Sequence, residues 1–327
     1  MYNYTRFFIL LLLGIILSGF GLKDNVLKGK VICIDAGHGG TAQTDLYRQG
    51  PTGEREEWVN LRVAILLKAL LEAEGAKVVM TRTSDDFVPL ATRSKIAREN
   101  KAQLFLSIHH NATADSTVNF PIVYFHGKSS ENKAGVAFGK EIARAMQSEF
   151  YEVKTPVSVV SDHTVFALEG ASVLRNTYGI PGVLSEASFF TNPKEERQLK
   201  DPEHNRREAV AYLKAIRFFF SNKVEIIKDK DPNFVIPPFQ GLQEAERMSE
   251  VAKKWLDDYR KGSLLMKSKD TAALQEAYEL FTRSARSFPD SYVARQCHEQ
   301  RVYLLKKLGK KEEARQEKLR SAEFYVK

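Results

Sequence analysis

VICIDAGHGG (31–40) and LFLSIHHNA (104–112) decide how this chain is read. Each is a short apolar run that ends at a histidine. VICID (31–35) has the length of a buried strand and stops at Ala36-Gly37. Glycines on both sides of His38 let the backbone turn sharply and present the imidazole at a sheet end. Ligand sites of open α/β sheets lie at such ends. LFLSIHH (104–110) reads as a second strand of this kind. Neighbouring strand residues point to opposite faces, so His109 and His110 cannot both reach one site if the strand is regular.

Working outward, strand and helix patterns alternate. Trp58–Ala73 has helical spacing, with Val59, Val63, Leu66, Leu67, Leu70 and Leu71 on one face and Gly75 as a stop. AKVVMTR (76–82), IVYFH (122–126) and GVLSEASFF (182–190) read as strands. Helices are expected over 90–98, 134–150 and 208–220. Such alternation predicts an α/β fold, a central sheet covered by helices on both faces.

Residues 222–240 carry Pro232, Pro237 and Pro238 among scattered charges and read as a linker. From 241 to 327 the chain reads as a small all-α tail. In EAYELFTRSARSFPDS (276–291), Ala277, Phe281, Ala285 and Pro289 recur every four residues, as in the second helix of a tetratricopeptide repeat. A plain helical bundle is the alternative. A tetratricopeptide-like tail would offer a groove to a protein partner. Its removal is expected to leave hydrolysis intact.

The first 21 residues follow the export pattern: Arg6, the apolar run FFILLLLGIIL (7–17), then Gly19 and Gly21 as small residues before a cut. The run is shorter than the ~20 residues that span a bilayer. A cleaved signal is expected, with an uncleaved membrane anchor as the alternative. The formal charge of +8 suits an acidic polymer, and the absence of a long arginine-lysine tract argues against nucleic acid. Cys33 and Cys297 are too few and too far apart for a disulfide framework.

Glu186 is an acid inside an apolar strand, where an isolated carboxylate is costly. A metal, a catalytic role or a salt bridge to Arg175 would each account for it. Glu54, Glu56 and Glu57 precede the first long helix, where acids ordinarily complement the macrodipole. Two histidines and a carboxylate from separate elements nevertheless make a normal zinc set. His126, His163, His204 and His298 lack such a setting and read as surface or core residues.

Five segments in order, VICIDAGHGG (31–40), EEWVNL (56–61), VVMTR (78–82), LFLSIHHNA (104–112) and VLRNTYGIPGVLSEASFFTN (173–192), resemble the zinc-dependent N-acetylmuramoyl-L-alanine amidases. The resemblance implies a mixed sheet and one zinc held by His38, Glu56 and His109, with Glu186 in catalysis. Glu57 stays open as a substitute for Glu56, because a lysine usual at that place is missing. The implied substrate is peptidoglycan, cut between N-acetylmuramic acid and L-alanine, in the periplasm or cell envelope. Arg82 and Arg93 are then candidates for stem-peptide carboxylates, against a structural role for each. The competing reading is a non-catalytic peptidoglycan-binding or scaffold protein.

Overall fold

The computed structural model describes residues 25–166, 169–232, 239–242 and 244–326; the expected export signal lies outside them. Seven strands, β1 (Val31–Ala36), β2 (Lys77–Met80), β3 (Leu104–Asn111), β4 (Ile122–Phe125), β5 (Ser158–Ser161), β6 (Gly182–Phe189) and β7 (Phe324–Val326), form one sheet in the order β2-β1-β3-β6-β4-β5-β7. Strands β2, β1, β3 and β6 run parallel, and β4 joins β6 antiparallel. The sheet is therefore mixed, and the carboxyl ends of β1 and β3 share one edge.

Strand alternation sends residues to two faces. Ile32, Ile34, Leu104, Leu106, Val123 and Phe125 enter one apolar cluster; Cys33, Phe105, Ile122 and Tyr124 enter another. The first face is covered by α1 (Glu56–Ala73), and the second starts under α2 (Leu90–Glu99). Helix α3 (Lys133–Ala145) and the later α6 (Pro202–Ser221) complete the first layer, while α4 (Ser172–Asn176) joins the second and α5 (Pro193–Leu199) leads into α6. The helix expected over 134–150 ends as a regular helix at Ala145 and finishes in a wider π turn, Met146–Phe150. Helix α6 starts earlier than its apolar periodicity suggests, because Asp201 caps it and Pro202 opens it.

Helices α7 (Trp255–Leu265), α8 (Thr271–Ser287), α9 (Ala294–Lys307) and α10 (Lys311–Ser321) pack in sequence as neighbours. Ala277, Phe281 and Ala285 of α8 are fully buried, and Phe281 fits against Gly262 of α7. The region is all-helical until its last residues, where β7 pairs antiparallel with β5 and extends the sheet.

The helical region lies on the second face of the sheet. Phe288 stacks at 5.8 Å from Phe120 and 5.9 Å from Phe189, and Trp255 lies 4.9 Å from Phe288. The Trp255 indole N–H donates to Asp115 (3.0 Å), and the Ala114 N–H donates to the Arg247 carbonyl (3.0 Å). Removing 241–327 would therefore uncover Phe120 and Phe189 on that face. The expectation that hydrolysis survives this deletion does not fit a sheet whose Phe120, Tyr124 and Phe189 are buried in a cluster shared with the helices. Between the two regions, residues 227–231 are strapped down: Lys228 N–H donates to the Glu131 carbonyl (2.9 Å) and the Lys230 ammonium meets His126 Nε2 (2.6 Å). Both cysteines are free, and burial pushes each thiol up to about 12.

Candidate active site

The loop after β1 brings His38 into the left-handed region (φ 58°), where a non-glycine residue is uncommon. The turn depends on its neighbours. A Cβ on Gly37 would sit 2.3 Å from the His109 ring, and one on Gly39, at φ 119°, would strike the Asp86 carbonyl at 2.4 Å. Glycine there lets the two histidine-bearing strand ends approach until their rings are 4.7 Å apart, edge to face.

Glu56, in the first turn of α1, points between them. Its Oε1 lies 3.1 Å from His38 Nε2 and 3.0 Å from His109 Nδ1. These ligand atoms of three elements all lie within 4.8 Å of one another. Burial pushes the Glu56 carboxyl up, but the two imidazoles outweigh it and hold the group well below the ordinary carboxylate range. Burial depresses His109, so its neutral form is favoured despite Glu56.

The far side of His109 is anchored. Its Nε2 meets the Ser107 hydroxyl (3.1 Å), which donates to Asp35 Oδ2 (2.7 Å). Asp35 is buried and also receives Thr81 Oγ1 (2.6 Å) and Arg93 Nη1 (2.9 Å). Burial alone would raise this carboxyl; Arg93, Thr81 and Ser107 leave it lowered. The Asp35–Ser107–His109 chain directs Nδ1 toward Glu56. Such outer partners fix ring orientation in metal sites. Asp35 and Ser107 escaped the sequence reading, although both lie inside its motifs; strand alternation puts Ser107 on the same face as His109.

His110 turns away, with Nδ1 2.8 Å from Asn60 Oδ1 and Nε2 3.1 Å from Glu208 Oε2. Glu57 also turns away and takes the Arg55 guanidinium at 2.6 Å. Of the two acids left open by the sequence, Glu56 is the one beside both histidines. Arg82 and Arg93 spend their donors on the protein. Arg82 binds the carbonyls of Ala36, Gly37, Glu57 and Ser84; Arg93 binds those of Ala36, His38 and Val88 besides Asp35. Their role is to hold the His38 loop.

Glu186 pairs in register with His109 across β3 and β6 and lines the same cleft of about 620 Å³. Its Oε2 is buried without a hydrogen-bond partner. Burial and the nearby Glu56 push its carboxyl well above the ordinary range. Arg175, the alternative partner, binds Glu169 instead (3.3 Å).

A second cluster joins His126, Asp162 and His163, also with ligand atoms within 4.8 Å. The sequence reading left these histidines unconnected; β4 and β5 run side by side and bring their ends together. Here Lys230 already supplies a cation to His126, and Asp162 accepts from His126 Nδ1 (2.8 Å) and from the N–H groups of Gly127 (3.2 Å) and Ala171 (2.9 Å). The cluster clasps the 227–231 strap.

Comparison with known proteins agrees with this geometry. The chain is 31% identical over 206 residues to a "Probable cell wall amidase LytH" of Staphylococcus epidermidis, covering 62% of each. It is 29% identical over 214 residues to a germination-specific N-acetylmuramoyl-L-alanine amidase of Bacillus subtilis, covering 60% of this chain and 82% of that one. The solved amidase AmiC2 of Nostoc punctiforme superposes with a TM-score of 0.51 at 27% identity, over 60% of this chain and 99% of that one. The N-acetylmuramoyl-L-alanine amidase family model matches residues 32–217. That match spans more than half of the chain, which therefore belongs to the N-acetylmuramoyl-L-alanine amidase family.

Proposed function

We propose that the chain is an exported zinc hydrolase that cuts the amide bond between N-acetylmuramic acid and L-alanine of peptidoglycan stem peptides. The observation that carries this reading is the convergence of His38, Glu56 and His109 beside Glu186, whose buried oxygen has no partner. Two imidazoles and one carboxylate suit zinc and leave room for a further ligand. His38 Nε2, His109 Nδ1 and Glu56 would hold the ion, one per chain. When bound, zinc supplies Lewis-acid polarisation of a carbonyl.

The protein's own groups do the rest. Glu186 takes a proton from the attacking water and passes it to the leaving amine nitrogen. Its environment, which favours the protonated carboxyl, suits a group that must hold that proton between the two steps. Asp35 and Ser107 keep His109 from rotating, and the Arg82 and Arg93 bonds to the 36–38 carbonyls keep His38 in place.

Export rests on the N-terminal pattern and on cell-wall relatives. The site of action is the periplasm or cell envelope, with membrane contact only through an uncleaved N-terminus. The helical region is tetratricopeptide-like in its α7–α8 packing and is a surface for a protein partner.

The test is mass analysis of purified peptidoglycan treated with residues 23–327, with and without chelator. Stem peptides beginning at L-alanine, lost on chelation and restored by zinc, support the reading. Bound zinc with no such product, at any enzyme concentration, counts against it and for a non-catalytic wall-binding protein.

A further inference from the structure

The active-site cleft has a wall that the sheet and its loops do not provide. Arg247, in the 3-10 turn Glu244–Met248 that leads into the helical region, lines the cleft together with His38, Glu56, His109 and Glu186. Its backbone is tied next to the metal-type histidines, since its carbonyl accepts from Ala114 N–H (3.0 Å), five residues after His109. Its guanidinium is clamped. Both terminal nitrogens donate to Asp290, Nη1 at 3.1 Å and Nη2 at 2.8 Å; its plane lies over the Phe288 ring at 4.9 Å; and Tyr124 donates to the same Asp290. Asp290 is fully buried.

The clamp leaves one nitrogen without a partner. Arg247 Nε–H is buried and has no hydrogen-bond partner. A buried, unmet N–H is costly unless something arrives to accept from it. Arg93, which also lines the cleft, has bonds to the protein at all three guanidinium nitrogens. The cleft also holds the acids Glu56 and Glu186, so an anionic group of a substrate is best placed there beside a cation.

We propose that Arg247, carried by the segment leading into the helical region, is a substrate-binding residue that holds a carboxylate of the stem peptide through its Nε–H. This rests on the amidase reading above. It makes the segment after 240 a determinant of substrate choice, in the place where Arg82 and Arg93 were expected.

The test uses the full, zinc-loaded chain and two soluble N-acetylmuramoyl peptides, one with free peptide carboxylates and one with them converted to amides. Arg247→Gln leaves the Asp290 charge buried without its cation, so the Arg247→Gln/Asp290→Asn double variant, which removes both charges, is run beside it. Thermal melts check that each is folded. Wild type should show a KM roughly ten- to hundredfold lower for the carboxylate substrate, the worth of one charge-assisted hydrogen bond. The folded double variant should show nearly equal KM for both, by loss of affinity for the carboxylate form. Titration of each substrate into Glu186→Gln protein, with and without the double change, should give the same ratios in Kd. A double variant that keeps the wild-type preference overturns the assignment while leaving the amidase intact. A folded wild-type chain that cleaves and binds neither peptide overturns the amidase reading, and this proposal with it.

Discussion

The active-site cleft and the helical region each place a glutamate against histidine, and they do it in opposite ways. Glu317 of α10 meets His298 Nδ1 (2.8 Å) and the Arg301 guanidinium (3.1 Å at Nε and at Nη2), with Arg320 completing the set. Cations surround the acid, which has no open side. Glu186 lies in a cleft with an unmet oxygen, next to a second acid. Glu56 faces two imidazoles across a gap of metal-ligand dimensions. A closed network adds order; an open one awaits a ligand. Composition does not separate the two, because both are His–Glu pairs. What separates them is whether the carboxylate oxygens are met: both oxygens of Glu317 have partners, and Glu186 Oε2 has none.

The largest effect expected from this contrast lies in the open site. Glu186→Ala should lower turnover on peptidoglycan about 10²–10⁴-fold, the usual worth of a general acid-base group, while zinc stays bound at one per chain. His38→Ala should lose zinc and activity together. Metal analysis beside the assay separates these outcomes. A Glu186→Ala protein with undiminished turnover would remove the central role given to this residue.

Next comes the dependence of one region on the other. Truncation after residue 240 exposes the face of Phe120, Tyr124 and Phe189 and removes β7 from its pairing with β5. The truncated chain should be poorly soluble or melt well below the full chain, and activity should fall with it. A soluble truncation with full activity and an unchanged melting temperature would restore the view of the tail as an appendage.

Much of this was legible in the sequence. His38 and His109 could be found because each ends a short apolar run, and Glu186 because an acid interrupts one. The sheet order needed more. SVVS (158–161) is too short and too weakly apolar to announce β5, and β7 forms only because the chain returns to that edge. Arg247 left no local signal at all; it stands after a proline-rich linker, and its place is set by Ala114, Phe288 and Asp290, distant in sequence. Amphipathic helices such as α8 reveal that one face is buried, but not against what. Packing partners are tertiary information.

That packing can be probed with one side chain. Phe288 is fully buried at the junction of Trp255, Phe120 and Phe189. Phe288→Ala should cost about 3–5 kcal/mol. If the regions share a core, helical and sheet signals should still fall in a single transition, at lower denaturant. Two separated transitions, with only the helical one shifted, would mean that the regions fold independently.

The smallest effect tests the closed network. Burial would raise the Glu317 carboxyl, but His298 and Arg301 outweigh it and leave the group far below its ordinary value of 4.5. Burial lowers His298 below its ordinary value of 6.5 in spite of Glu317. Both groups therefore bind protons more readily in the unfolded chain, so stability rises with pH across their range. The His298 contribution starts to be lost as pH falls below 6.5, and the Glu317 contribution as pH falls below 4.5. Glu317→Gln should lower stability by about 2 kcal/mol at pH 7, since it weakens hydrogen bonds to charged partners. Urea midpoints of the two proteins should then converge as pH falls through the carboxylate range, because protonation removes from the wild type what the substitution removed already. A gap that stays constant or widens with acid would mean that Glu317 is not held as a carboxylate, and the contrast with Glu186 would lose its closed half.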